Sequence, residues 1–197
     1  MSGPSEWETR THVWAHPVDT DHLAEVRSCT PPSALHAVLE VLAYADEEAA
    51  SRGARGSVVV TLGDEAVTVD DDGRGTETRL DAAGRVIRKP VMSTRDVRFF
   101  DKIDAALLPD GLPRRGMSSV AAHAERLVHT NHRGGRSWSQ EYRHGVPEDE
   151  LVAVAFRGRP GTVVGFSHPG LASLDASTLA EAAAGFAHLG VEILDRR

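Results

Sequence analysis

The feature that most constrains the fold is a loop at residues 69–75, Val-Asp-Asp-Asp-Gly-Arg-Gly, which follows an alternating apolar run. Upstream of this loop, a segment with helical spacing carries Glu40. A carboxylate at the end of a strand can accept the exocyclic amine of adenine, and the glycines after it let a ring approach the backbone. The loop therefore predicts a strand end and a helix that together hold a purine ring.

Composition narrows the class of protein. With 197 residues, 41% of them hydrophobic, the chain is long enough for one domain with a substantial core. A net charge of -7 argues against a nucleic-acid surface, because phosphate binding needs a basic field. The single cysteine, Cys29, excludes a disulfide framework and a cysteine metal cluster. No apolar run approaches membrane-spanning length and no signal-peptide core is present, so we expect a cytoplasmic protein without a membrane partner.

Hydrophobic periodicity predicts a domain over residues 33–197, preceded by a loosely ordered N-terminal arm over residues 1–32. Ser33 is a candidate N-cap for the first helix of that domain. Predicted helices cover residues 34–51, 96–108, 117–127 and 177–189. Predicted strands cover residues 57–62, 66–70, 128–133, 137–142, 151–157, 162–166 and 191–194. Neighbouring hairpins with few helices between them favour an α+β architecture, with helices on one face of a mixed, mostly antiparallel sheet.

Four segments, in order along the chain, resemble the ATPase domain of the bacterial gyrase B subunit, a member of the GHKL nucleotide-binding superfamily. They lie at residues 36–49, 69–75, 111–120 and 161–166, and residues 142–147 add a further similarity. The resemblance extends from about Leu35 to Leu194. It implies the two-layer α/β sandwich of the Bergerat type and a pocket for an adenine nucleotide, ATP or ADP.

The resemblance implies a role in hydrolysis for two residues of the first predicted helix of the domain. Glu40 would stand at the position of the family's general base, which polarises the water that attacks the γ-phosphate. His36, one turn earlier on the same helix face, would assist it. From the residues alone, His36 can equally be a structural histidine, and Glu40 can be an exposed acid.

The resemblance also implies a set of nucleotide contacts. Asp71 would accept the adenine amine, and Gly73 and Thr162 would support the edge of the ring, partly through water. Arg74 would lie over the purine face and pair with Glu48. The remaining implied contacts are Gly75 in the same loop, Gly111 and Gly116 through backbone N–H groups to phosphate, and Arg133 at the mouth of the pocket. Without the resemblance, the run of aspartates is a solvated turn and Arg133 is a surface cation.

Three departures from the family affect the phosphate half of the implied site. Tyr44 stands where the family has an asparagine that binds Mg²⁺, and a neutral phenol is a poor magnesium ligand. Pro113-Arg114-Arg115 replaces His-Gly-Val, which removes a glycine and a backbone donor, although Arg114 and Arg115 can attract phosphate by charge. The sequence ends at Arg197, before the family's next domain would deliver a catalytic lysine. Binding of Mg²⁺ is therefore left open.

These observations favour a regulatory domain that binds an adenine nucleotide and turns it over little. One alternative is a slow ATP-hydrolysing subunit of a type II topoisomerase-like complex, which Glu40 and His36 favour. Another is a small phosphotransferase of the anti-sigma-factor kinase type. A protein partner or a homodimer is left open, and strand passage by this chain alone is not expected.

Overall fold

The helices and strands are defined in a computed structural model that describes residues 18–76, 79–80, 86–87, 90–100, 102, 104–134, 136–148 and 151–197. The α-helices are α1 (Thr20–Ser28), α2 (Ala34–Ser51), α3 (Met117–His123) and α4 (Ala176–Ala183). The strands are β1 (Gly56–Leu62), β2 (Val67–Asp71), β3 (Arg79–Leu80), β4 (Val86–Ile87), β5 (Leu127–His132), β6 (Trp138–Arg143), β7 (Val146–Pro147), β8 (Val152–Ala153), β9 (Gly161–Phe166) and β10 (Leu189–Asp195).

Eight of the described strands form one mixed sheet in the order β10-β1-β2-β9-β5-β6-β7, with β8 paired to β6. β1 and β10 run parallel, whereas the pairs β1–β2, β2–β9, β9–β5 and β5–β6 are antiparallel. Because β2 runs against both neighbours, its last residue, Asp71, lies beside the first residues of β1 and β9. Helices α2, α3 and α4 contact this sheet, which confirms the predicted α+β architecture.

Helix α2 has the bounds that the sequence predicts. The Ser33 side chain accepts the N–H of His36 at 3.1 Å, so the first turn of the helix is capped as expected. Val38 and Leu42, one turn apart, are completely buried in the core that α2 forms with the sheet. Polar side chains of α2, His36 among them, contact the loops that border this core.

Helix α1 was not predicted from the sequence. Asp19 caps its first turn by accepting the N–H of His22 at 3.0 Å. Leu23 and Val26 are buried against Ala122 of α3. Residues 1–17 of the predicted N-terminal arm lie outside the described residues, and the boundary between an arm and the domain at residue 33 stays a prediction.

The helix predicted over residues 96–108 is wrong. The described residues of this segment form turns, followed by an isolated bridge between Leu107 and Pro113. The cause is Asp96, whose buried carboxylate accepts the backbone N–H of Arg98 at 3.0 Å and binds the Arg98 guanidinium. A carboxylate that bonds a backbone N–H two residues later forms a turn, which competes with a helix.

Three further elements are shorter than predicted. α3 ends at His123, because Leu127 already pairs with Phe166 in β9. α4 ends at Ala183, and the chain then turns so that Leu189 pairs with Gly56. Of the strand predicted over residues 151–157, only β8 forms. None of the described helices is both long and apolar enough to cross a bilayer.

Candidate functional site

The carboxylate of Asp71 is fixed at the end of β2 by two backbone donors. Its Oδ1 accepts the N–H of Gly73 at 2.8 Å and the N–H of Thr162 at 3.2 Å. Its second oxygen, Oδ2, accepts no hydrogen bond from the part of the chain that the structure describes. Two bonds to one oxygen orient the group and leave the lone pairs of Oδ2 available to accept a hydrogen bond.

The environment of Asp71 favours its protonated form more than water does. Burial raises the pKa of Asp71 to about 6, and the nearby charge of Asp70 also raises it. The N–H groups of Gly73 and Thr162 and the charge of Arg157 oppose this increase. Asp71 is therefore a carboxylate near neutral pH, but one that a donor such as an amine would stabilise.

Glycine is required where β9 begins beside Asp71. Gly161 has a φ of 136°, and a Cβ there would overlap the carbonyl oxygen of Asp71. Gly75 has a φ of 74°, and a Cβ there would lie 2.7 Å from both Asn131 Oδ1 and the His132 carbonyl oxygen. The two glycines thus let the Asp-Gly-Arg-Gly loop pack directly on β5 and β9.

Arg74 and Glu48 form a two-point ion pair between this loop and α2. Arg74 Nε donates to Glu48 Oε1 at 2.6 Å, and Arg74 Nη2 donates to Glu48 Oε2 at 3.0 Å. Burial raises the pKa of Glu48, but the hydrogen bonds and charge of Arg74 outweigh burial, so the pKa is lowered. Arg133, on the exposed side of the loop, donates to the Gly75 carbonyl at 3.2 Å. The ion pair predicted between Arg74 and Glu48 is present in the structure.

Glu40, one of the candidate catalytic residues, is 1% exposed and bonded through both oxygens. Oε1 accepts the backbone N–H of Arg115 in a short hydrogen bond, and Oε2 accepts the N–H of Gly116 at 3.2 Å. The Arg114 Nε lies 3.9 Å from Oε2. The carboxylate therefore faces the loop that the sequence assigned to phosphate.

His36 lies between two carboxylates. Its Nε2 is 3.5 Å from Glu40 Oε1, and its Nδ1 is 2.8 Å from Asp110 Oδ2. Burial lowers the pKa of His36, but the hydrogen bonds and charges of Glu40 and Asp110 outweigh burial, so the pKa is raised. Asp110 thus ties the loop after residue 108 to the start of α2.

Tyr44 also lies on this face of α2. Its hydroxyl donates to Asp96 Oδ2 at 2.8 Å and lies beside Gly116. Burial, followed by the charge of Asp96, raises the pKa of Tyr44 well above its usual value. The guanidinium carbons of Arg98 and Arg114 lie 5.7 and 4.9 Å from the centre of the Tyr44 ring.

Among known proteins, DNA gyrase B subunits are similar to this chain in sequence. The chain is 30% identical to the chloroplastic/mitochondrial subunit of Nicotiana benthamiana over 151 residues, which is 72% of this chain and 20% of the relative. It is 30% identical to the Enterococcus faecalis subunit over 132 residues, 66% of this chain and 21% of the relative. It is 35% identical to the Mycobacterium tuberculosis subunit over 112 residues, which is 57% of this chain and 17% of the relative.

A solved structure shares the fold. The topoisomerase IV ATP-binding domain of Francisella tularensis, in complex with a small-molecule inhibitor, superposes with a TM-score of 0.65 over 89% of both chains at 16% identity. The chain is a gyrase-B-like domain of the GHKL superfamily. It spans about one fifth of the length of the curated relatives it matches. No family model matches the chain.

In this gyrase-B-like domain the predicted site residues fall into two groups around α2. Asp71, Gly73, Arg74, Gly75, Thr162, Glu48 and Arg133 come together at the ends of β2, β5 and β9. His36, Glu40, Tyr44, Arg114, Arg115 and Gly116 come together at the start of α3. Arg115 contributes its backbone N–H, and its side chain is exposed. Gly111 joins neither group, because its N–H donates to the Leu108 carbonyl at 2.8 Å in a separate turn.

The sequence did not indicate several residues that build the gyrase-B-like site. Asn131 binds both the N–H and the carbonyl of Thr76, at 2.7 and 3.1 Å, and so fixes the chain after the glycine loop. In the sequence, Asn131 could have been noticed as a polar residue at an inward-facing position of a predicted strand. Glu47, two turns after Glu40 on α2, pairs with Arg114, and this pairing was not predicted. Asp96 and Asp110 gave no signal, because Asp96 stood at the start of a predicted helix and Asp110 lies in a loop, so neither position indicated a contact with α2.

The residues around Tyr44 do not fit Mg²⁺. Magnesium prefers charged or carbonyl oxygens in octahedral geometry, whereas Tyr44 offers a neutral hydroxyl that is already a donor to Asp96. Two guanidinium groups lie against the same ring, and they would repel a divalent cation. Within the described ranges, no group of three or more His, Cys, Asp or Glu side chains could hold a metal ion.

A cavity borders this region at Arg114. It measures about 720 Å³ and is walled by α2, α4 and the segment before the Asp110 turn, with Glu47 and Arg114 in its lining. Asp71 and Thr162 do not line it. Arg114, which belongs to the group of residues at Glu40, therefore borders this cavity together with Glu47.

Proposed function

We propose that this gyrase-B-like domain binds an adenine nucleotide, ATP or ADP, and turns it over slowly or not at all. The observation that carries the proposal is the carboxylate of Asp71, which two backbone N–H groups hold through Oδ1 while Oδ2 is left for an external donor. The exocyclic amine of adenine is a donor of the required kind. Residues Gly73, Gly75, Arg74 and Thr162, which surround this acceptor, would contact the ring.

The phosphates of the proposed nucleotide would extend from Asp71 along α2 towards residues 114–116. The residues implied for this part are Glu48, Arg74 and Arg133 on one side and Arg114, Arg115 and Gly116 on the other. The names of the similar proteins support this reading, since the Francisella tularensis structure is an ATP-binding domain. A protein partner, a homodimer and a place in a topoisomerase-like complex stay predictions, as does the kinase-type alternative.

Little turnover is expected because Glu40 is 1% exposed and each of its oxygens already accepts a backbone N–H. A general base needs a lone pair within hydrogen-bond reach of the attacking water. Here one oxygen of Glu40 accepts the N–H of Arg115 and the other accepts the N–H of Gly116. A water molecule would therefore have to reach a remaining lone pair of a buried carboxylate before Glu40 could activate it.

Slow hydrolysis remains the second candidate function, and one observation favours it. His36 lies 3.5 Å from Glu40 and is held from behind by Asp110. A histidine oriented by a carboxylate can stabilise the charge of a neighbouring acid during proton transfer. Phosphate release from ATP by the wild-type chain and by Glu40→Gln separates the two candidates. A rate that is lower in the variant supports hydrolysis, and equal rates remove Glu40 from the mechanism.

Calorimetric titration with adenosine and ADP tests the proposed adenine site. We expect both ligands to bind the wild-type chain and neither to bind Asp71→Asn, because an amide presents a donor where the amine needs an acceptor. Asp72→Asn is the matched control. Asp72 is an adjacent acid whose Oδ1 accepts the Ser57 N–H at 2.9 Å, away from the Asp71 acceptor. Equal affinity of wild-type chain and Asp71→Asn for adenosine would contradict the proposal.

A further inference from the structure

Arg114 is a buried cation with unsatisfied donors. The residue is 5% exposed, and its Nη1 donates to Glu47 Oε1 at 2.5 Å. Its Nε and Nη2 are buried and have no hydrogen-bond partner, and the nearest carboxylate oxygen to Nε, on Glu40, is 3.9 Å away. A buried N–H group without an acceptor costs free energy, so this guanidinium is short of one anionic partner.

Aromatic rings hold the guanidinium of Arg114 in place. Its Cζ lies 4.0 Å from the centre of the Phe99 ring and 4.9 Å from the centre of the Tyr44 ring. Stacking on both rings fixes the plane of the group, which is the property that makes arginine suited to phosphate oxygens. The position is therefore built for an anion rather than occupied by a flexible surface cation.

Glu47 is the partner of Arg114 that a ligand can replace. Its side chain is 38% exposed, and it also accepts from Arg98 Nη1 at 3.2 Å. Glu47 can therefore turn towards solvent, and keep Arg98 as a neighbour, when an anion reaches Arg114. Glu40 cannot do so without losing the N–H groups of Arg115 and Gly116.

We propose that Arg114 neutralises the phosphates of the bound adenine nucleotide, and that this gyrase-B-like domain therefore binds ADP without Mg²⁺. The proposal rests on the adenine site proposed above. It follows from two facts at one place: the residues around Tyr44 do not fit a magnesium ion, and the guanidinium beside that ring has two donors without acceptors. A fixed positive charge then performs the neutralisation that a metal ion performs elsewhere.

Affinities for adenosine and ADP, measured by calorimetry in EDTA and in excess Mg²⁺, test the inference. We expect ADP to bind the wild-type chain about tenfold or more tightly than adenosine in EDTA, as one charge-assisted contact provides. Adding Mg²⁺ should change the ADP affinity by less than about twofold. Tight ADP binding that requires Mg²⁺ would overturn the inference and leave the adenine site intact. Absence of adenosine binding would instead overturn the proposed function.

Two variants test Arg114 in opposite directions. Arg114→Gln should bring the ADP affinity in EDTA close to that for adenosine, while adenosine binding persists and reports that the chain is folded. Glu47→Gln removes the competing carboxylate and should tighten ADP binding in EDTA without a change for adenosine. Arg126→Gln is the matched control, because Arg126 makes a two-point ion pair with Glu141 on the exposed side of the sheet. If neither variant changes the ratio of the ADP affinity to the adenosine affinity, the proposal that Arg114 neutralises the phosphates is contradicted.

Discussion

At the scale of single residues, Asp71 shows that the candidate site and the stability of the fold make opposite demands. Its pKa of about 6 lies above the usual value of 3.8 but below neutral pH, so this half-buried carboxylate is charged near neutral pH at a cost in stability. One pKa unit corresponds to about 1.4 kcal/mol, which places the cost of this charge at roughly 3 kcal/mol as an upper value. A binding role explains why an acid stands there when an amide could accept the same two N–H groups.

We predict that Asp71→Asn raises the free energy of unfolding by about 1 to 3 kcal/mol near neutral pH. The amide oxygen can still accept from Gly73 and Thr162, and the buried charge is gone. An acid whose pKa is raised by folding contributes stability below its unfolded pKa of 3.8, and this contribution is lost as the pH rises through about 6. Urea unfolding of both chains should therefore show a difference that shrinks towards acidic pH. A wild-type chain that is more stable than the variant at neutral pH would contradict this account.

The affinity for adenosine should fall in acid because a protonated Asp71 no longer offers a free acceptor to an amine. We expect the affinity to be constant above the pKa of about 6 and to decrease below it, by up to about tenfold per pH unit. Calorimetric dissociation constants measured across this range check the prediction. A flat profile would mean that the carboxylate does not accept the amine.

At the scale of elements, helix α2 presents polar side chains at one-turn spacing, and each of them holds a different loop. His36 contacts Asp110, Tyr44 binds Asp96, and Glu48 binds Arg74. The sequence predicted the helix and its bounds, because Ser33 and the apolar spacing are local signals. It predicted the pairing of Glu48 with Arg74 through the family resemblance, but not the partners of His36 and Tyr44, because Asp96 and Asp110 are brought to α2 by tertiary contacts. The contacts of Asp96 also explain why the helix predicted over residues 96–108 is absent.

The contact between His36 and Asp110 should make the stability of the loop depend on pH. The pKa of His36 is raised in the folded state, so its contribution is complete below the usual value of 6.5 and is lost as the pH rises through the folded-state pKa. We predict that His36→Gln lowers the free energy of unfolding more in mild acid than in mild alkali, with a difference of about 1 kcal/mol. Urea titrations of wild type and variant at both pH values measure this difference.

His188→Gln is the control for the His36 prediction. His188 also lies beside a carboxylate, with its Nδ1 3.4 Å from Asp46 Oδ2, but its side chain is about half exposed. Solvent screens an exposed pair, so we expect the variant to lose little stability at either pH. If His36→Gln lowers the free energy of unfolding equally at both pH values, His36 acts by packing rather than by charge.

At the scale of the whole molecule, the contacts around Asp71 follow from local sequence more than the contacts around Arg114 do. Asp71 and Gly73 lie in one loop, so their geometry follows from local sequence. The environment of Arg114 depends on Glu47, Phe99 and Tyr44, which come from three separate segments of the chain. Helix α1 was missed for a related reason: Leu23 and Val26 are its main apolar residues, and they become informative only when packed on α3.

Truncation tests whether α1 belongs to the folded unit. Leu23 and Val26 are buried, His22 Nε2 lies 2.9 Å from Ser118 Oγ, and Arg27 donates to the His144 carbonyl at 2.9 Å. Burial of two such apolar side chains provides about 3 to 6 kcal/mol, which is an upper value because the unfolded chain also buries surface. We therefore predict that a chain beginning at Ser33 unfolds at a clearly lower urea concentration than one beginning at Val18. Adenosine affinity should be equal in both, because α1 does not contact Asp71 or its donors. Equal unfolding midpoints would instead support the boundary at residue 33, with everything before it acting as an arm.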